Sequence, residues 1–437
     1  MDRYFHLEKA LSSLEQRIRK VHRYDKNYGQ LLLEFNVKLR SDIQQSIESY
    51  AQLWNIHQII LIINLNRLYD VRSRFTLREY FMKQGEKNYE FSVEEWFTLL
   101  EFYLQMDGTC FYMKSCTFRN SKPHWDYVGL FTTNEPKSYY GMKRCSDHSC
   151  RFCYERLDLT ERFEPAMNFS TKQVHRFVND YQVFLNCDVT CTTSNLIYAL
   201  TCPCRCYDYI GECDVPFRNR MMQHRMSGCR IISNFLIGTL VAERLRNDRD
   251  PDPYIPDYEK KLYAHSTQCS VPLQLFLKCH PEYWCFVPMT NEQVLIDNAR
   301  VSPLEINLLN DYQNSLFTAT QTSQYTRDMT LVQWCVNHVP SPPLNYQFSI
   351  RQKIQQYEFF STKSDIYVTR FLDLYNPAIV LALPENASDA LRRTVQALLV
   401  VYAEPKLVDT TVTHSETALQ STDIIEPTIW CQHLVRP

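Results

Sequence analysis

The stretch Asn195-Leu-Ile-Tyr-Ala-Leu-Thr-Cys-Pro-Cys-Arg-Cys-Tyr-Asp-Tyr-Ile-Gly-Glu-Cys-Asp-Val-Pro-Phe-Arg-Asn-Arg-Met-Met-Gln-His-Arg225 decides how the fold is read. Ile197 to Thr201 is short, apolar and β-favourable, and Pro203 closes it. Tyr207 to Glu212 supplies a second strand after a tight turn, so the pair predicts a hairpin. Pro216 suits the first turn of a helix, and Phe217, Met221 and Met222 or His224 follow at helical spacing. Arg220 and His224 lie four apart and point to the same side. From Val215 to Ile231 there are four arginines, a histidine and no acid. A solvated basic face has that composition, and so does a surface whose partner is an oxyanion such as phosphate.

Downstream, residues 234–246 predict another amphipathic helix, and the Pro-rich segment 250–257 a loop. A further helix around Leu273 to Cys279 leads into Tyr283 to Met289, read as a third strand. Glu305, Leu308, Leu309 and Tyr312 follow Pro303 as a helix. The order β, β, α, α, β, α predicts a small three-stranded α/β sandwich. Beyond residue 313, Ser341-Pro-Pro marks a break. Ile350 to Phe360 predicts a helix, Ile379 to Leu383 a strand and Ser388 to Val401 a helix.

Upstream, apolar residues recur at helical spacing from Leu7 to Val21 and from Leu31 to about Leu68. Ser92 and Glu95 have capping-box spacing before Trp96, Leu99, Leu100 and Tyr103. This mainly helical region would pack on the rest of the chain, and its charged gaps would also suit protein partners. Residues 110–140 predict strands or irregular structure, and Thr171 a cap for a helix over Val174, Phe177 and Val178. The expected division is 1–144 helical, 145–191 a Cys-rich lead-in, 192–312 the α/β domain and 313–437 a C-terminal α/β region.

The 437 residues carry a formal net charge of −2, so a nucleic-acid surface would have to be a local basic patch. No apolar run is long enough to span a bilayer, and the charged N-terminus lacks the pattern of a secretory signal. An intracellular protein of nucleus or cytoplasm, away from membranes, is the expectation.

Nine of the 17 cysteines fall between Cys145 and Cys213. Without an export signal, that clustering favours reduced thiols and metal ligation over a disulfide scaffold. Cys145, Cys150 and Cys153 form a Cys-x4-Cys-x2-Cys group whose thiolates can turn toward one tetrahedral zinc. The fourth ligand would be His148, Cys187 or Cys191, with Cys202, Cys204 and Cys206 behind them.

Tyr198 in Leu-Ile-Tyr, Tyr209-Ile-Gly211, and the helix with Arg220 and His224 together resemble the GIY-YIG endonuclease family. The run from Cys191 to Pro203, then Tyr-Ile-Gly-Glu, then Arg-x3-His-Arg is most similar to the GIY-YIG domains of Penelope-like retroelements, which also carry a Cys-rich group upstream. Leu196 stands where the family name implies glycine, and Cys202-Pro-Cys204-Arg-Cys206 is unusually dense in cysteine for the hairpin turn. The resemblance covers roughly 145–310. It implies metal-dependent hydrolysis of DNA phosphodiester bonds by Tyr198, Tyr209, Arg220 and His224, with a glutamate binding Mg2+. Glu305 is the expected metal ligand and Glu292 its competitor. The alternative is a nucleic-acid-binding or interaction protein that keeps the fold without cleaving.

Overall fold

The computed structural model describes residues 43–69, 91–106, 110–111, 130, 137–150, 152–154, 167–245, 257–313, 329–362, 368, 370–407 and 429–436. The helix expected over Leu7 to Val21, most of 110–140 and most of the 250–257 loop lie outside these residues.

The fold is built on the hairpin read from the sequence. Strand β1 (Leu196–Thr201) pairs antiparallel with β2 (Asp208–Cys213). Helix α1 (Phe217–Ile237) follows directly. Pro216 precedes it, and no side chain caps its first turn; instead Phe217 N–H donates to Thr193 O and Arg218 N–H to Cys191 O. These bonds satisfy donors that every helix start leaves open, and they fix α1 to the segment leading into β1.

The third strand does not come from 283–289. Pro281–Phe286 is a 3-10 helix opened by the proline, and Tyr283, Cys285 and Phe286 are all buried, a pattern no half-buried strand allows. The strand here is only Met289–Thr290, and it pairs with Tyr346–Gln347. The strand that completes the sheet is β3 (Asn376–Ala382), antiparallel to β1, which is thereby central. The sheet thus joins chain segments on both sides of residue 312. Between β2 and β3 lie α1, α2 (Asp257–Gln268) and further helices, including Ser270–Cys279, Pro303–Gln313 and Ile350–Thr362.

Alternation along β1 divides the core. Leu196, Tyr198 and Leu200 face α1, α2 and the Cys-rich segment. Ile197 and Ala199 face the opposite side, with Ile210, Val380 and helix α3 (Asp389–Ala403). On that side α3 meets Val93–Gln105, whose Ser92 and Glu95 form the expected capping box, and buried side chains of residues 43–69. Helices therefore cover both faces of a small antiparallel sheet, a mixed arrangement of helix and sheet broadly of α/β kind.

The helix expected after Thr171 is instead a short hairpin. Val174–Arg176 pairs with Gln182–Phe184 around a turn in which Asp180 takes a φ of 69° and Asp180 N–H donates to Phe177 O. Among the described residues no helix is long and apolar enough to cross a membrane.

Candidate active site

Tyr198 and Gly211 are direct partners across the hairpin. A Cβ at Gly211 would stand 2.3 Å from Tyr198 Cζ and 2.4 Å from Oη, so the phenol ring lies over the glycine and uses the space a side chain would fill. The ring passes across β2 toward α1. Its hydroxyl is 2.7 Å from His224 Nε2 and 3.1 Å from Arg220 Nε. The four-residue spacing on α1 brings both side chains to one oxygen.

Arg220 Nε only donates, so Tyr198 Oη accepts from it, and the direction of the bond to His224 Nε2 follows the imidazole tautomer. Burial, reinforced by the Arg220 charge, holds His224 well below its ordinary pKa, and the imidazole is neutral. His224 Nδ1 is buried, has no hydrogen-bond partner among the described residues, and lies 3.9 Å from Glu259 Oε1.

Glu259 sits in the first turn of α2, 2% exposed, with Oε1 3.3 Å from Arg220 Nη1. The Arg220 Nη1 atom also donates to Gln223 Oε1 at 2.9 Å. The second motif tyrosine, Tyr209, is on the same sheet face, its ring 6.3 Å from those of Tyr198 and His224. Tyr198, Arg220 and His224 therefore meet around one hydroxyl, with the Tyr209 ring beside them on the same face. Arg225 does not join the basic face: it is buried and forks onto Asp373 at 2.9 and 2.5 Å.

The expected metal acid is elsewhere. Glu305 caps its own helix through Ser302 and pairs with Arg351 Nε at 2.9 Å, contacts that hold its carboxyl at about 2. Glu292 is exposed in the first turn of Asn291–Asn298. Glu259 is the carboxylate that faces the partners of Tyr198. Its lysine-rich neighbours, Lys260 and Lys261, make the segment look solvated. The signal that finds it is period: Glu259 precedes the buried Leu262, Tyr263 and Ser266 at helical spacing.

Two cysteine clusters flank the site, and both could hold a metal such as zinc. In the first, Cys145, Cys150, Cys153 and Cys191 are all buried, and their sulfurs lie within 4.8 Å of one another. A tetrahedral zinc with Zn–S near 2.3 Å separates its sulfurs by roughly 3.8 Å. Cys150 and Cys191 are 3.8 Å apart. Burial opposes ionisation of Cys150, but the Cys153 and Phe152 backbone amides outweigh it and bring the thiol to about 7. Of the candidates for fourth ligand, Cys191 completes the set. His148, beside Tyr154, and Cys187 fall outside it.

The second cluster was not foreseen as a unit. Cys202 and Cys204, in the hairpin turn, meet His265 and Cys269 at the far end of α2. Cys202 and Cys269 sulfurs are 4.0 Å apart, and Cys204 Sγ is 3.6 Å from His265 Nε2. Hydrogen bonding from Cys202 draws Cys269 down to about 4, a thiolate suited to a cation. Cys206 is exposed and outside the set.

Comparison of the chain with protein-family models, with curated proteins and with solved structures finds no match in any of the three.

Proposed function

We propose that the chain is a metal-dependent endonuclease, hydrolysing DNA phosphodiester bonds through a site of GIY-YIG type in a three-stranded GIY-YIG sandwich. One observation carries this reading: a single phenol oxygen, that of Tyr198, is shared between a guanidinium donor and a neutral imidazole. A phenol of ordinary pKa about 10 serves as a base near neutral pH only if its anion is stabilised. Here Arg220 Nε donates to the Tyr198 oxygen and holds its phenolate once the phenol proton has gone to solvent, while His224 stays a neutral imidazole at the same oxygen. The phenolate removes a proton from the attacking water, and Glu259 pairs with Arg220 at 3.3 Å. Arg220, whose side chain is 15% exposed, is the member best placed to meet a phosphate. Donors of that kind contribute a few kcal/mol of transition-state stabilisation.

Magnesium is satisfied by one carboxylate, substrate oxygens and waters, and Glu259 is the acid that fits it. When bound, it would neutralise charge building on the phosphoryl oxygens. Zinc at the cysteine clusters would brace the site.

Plasmid nicking in magnesium tests the proposal. Tyr198→Phe is expected to slow cleavage by roughly 10²–10⁴-fold, the usual worth of a general base. Arg220→Ala and Glu259→Gln are also expected to lose cleavage, and Glu305→Ala to retain it. A wild-type chain that never cuts in a metal-dependent way overturns the reading. One observation favours the second reading, a DNA-binding protein that does not cleave: Tyr198, His224 and Glu259 are only 0%, 3% and 2% exposed. Salt-dependent DNA binding without nicking is its expected result.

A further inference from the structure

We propose that Cys202, Cys204, His265 and Cys269 form a zinc clasp whose occupancy sets where Glu259 stands against Tyr198, Arg220 and His224. The link to cleavage rests on the endonuclease reading; the clasp itself does not.

The argument starts from connectivity. Cys202 follows β1 directly and begins a tight turn, with its N–H donating to Tyr207 O and its carbonyl accepting from Arg205 N–H. Arg205 in that turn has a φ of 61°, so the two cysteines are presented on a locally fixed backbone. His265 lies in the last turn of α2, and Cys269 is the N-cap of the helix Ser270–Cys279. The clasp therefore staples the tip of the hairpin to the end of α2. Glu259 is six residues earlier on the same helix, about 9 Å along its axis. Tyr198 is four residues before Cys202, about 13 Å along β1. A helix is stiff over two turns, so fixing its far end against the hairpin fixes the near end as well.

The contacts at Glu259 do not fix that relation alone. They are one ion pair at 3.3 Å and an approach to His224 at 3.9 Å, too long for a hydrogen bond. The opposite side of α2 is anchored elsewhere: Tyr375 donates to Leu262 O and accepts from Ser266 Oγ, which ties the helix toward β3. The clasp joins its far end to the hairpin turn, where Tyr207 also packs on His265. The His265 ring is held for the purpose against Tyr207, with centroids 4.0 Å apart, and orientation by an outer partner is usual for a metal-binding imidazole. Three thiols and one imidazole from two separated segments match a closed structural zinc site.

The test uses the full chain and zinc alone. His265→Ala and Cys269→Ser are each expected to hold one zinc fewer than wild type, and Cys269→His to keep the wild-type count, which also guards against a variant that fails to fold. In both deficient variants, hydrogen exchange should rise about tenfold in the 202–207 turn and along α2, with 145–153 unchanged. Nicking should fall with the zinc and return in Cys269→His. Wild-type zinc content in the deficient variants overturns the clasp. Lost zinc with unchanged exchange along α2 overturns its effect on Glu259. A wild-type chain that never nicks defeats the endonuclease reading and leaves the zinc count and exchange to decide the clasp.

Discussion

The two cysteine clusters hold similar donor sets and are built in opposite ways. The first takes three ligands from one short run, Cys145 to Cys153, and adds Cys191 from the approach to β1; all four are buried. The second takes two from a hairpin turn and two from the end of a helix, with Cys204 and His265 separated by 61 residues, and only Cys202 is buried. The first is a local knuckle that seals a loop onto the core. The second is a bridge between elements that would otherwise meet only through side chains. The difference separates a metal that holds a fold from one that holds a geometry, and the hairpin lies between them.

The largest effect should come from breaking the first. Cys191 is wholly buried, and its carbonyl receives the Arg218 N–H that starts α1. Cys191→Ala is expected to lose one zinc and roughly 3–5 kcal/mol of stability, because metal-binding energy is folding energy where the ligands are closed in the native state. Metal analysis and thermal unfolding check it. A melting curve as high as that of wild type would remove the distinction between the clusters.

A smaller loss is expected at the point between them. Gly211→Ala puts a methyl where the Tyr198 ring lies, so the ring must move. The cost of such overpacking is about 1–3 kcal/mol. Both zincs should remain, since neither ligand set includes this strand. Denaturant unfolding measures the loss, and a tolerated alanine would mean that Gly211 is not what holds the ring over the strand.

Local signals carried the hairpin, the start of α1 at Phe217, the Ser92 capping box, α3 and three ligands of the first cluster. Each depends on residues a few positions apart, whose spacing alone fixes which side chains meet. The third strand was missed because Tyr283 to Met289 has the composition of a strand, whereas the pairing partner of β1 is chosen by contacts across the whole chain, and Pro281 turns the aromatic run into a 3-10 helix. Glu259 was missed for a related reason: a charged residue beside two lysines reads as solvated until the packing of α1 on α2 buries it. His265 and Cys269 have no spacing to the hairpin cysteines that a reader could use, because the fold alone brings them together.

The smallest effect is expected from the cysteine nearest the second cluster. Cys206 is exposed, and its thiol donates to the Cys204 carbonyl at 3.4 Å, on the outside of the turn. By spacing alone, Cys204-Arg-Cys206 is as good a pair of ligands as Cys202-Pro-Cys204, so the structure and the sequence make different claims. Cys206→Ser is expected to keep the wild-type zinc and to change stability by no more than about 0.5 kcal/mol, as an exposed side chain outside any network does. Cys204→Ser, two residues away, should lose the clasp zinc. Equal zinc loss in the two variants would mean that the turn presents its thiols in the other register, with Cys204 no longer facing His265.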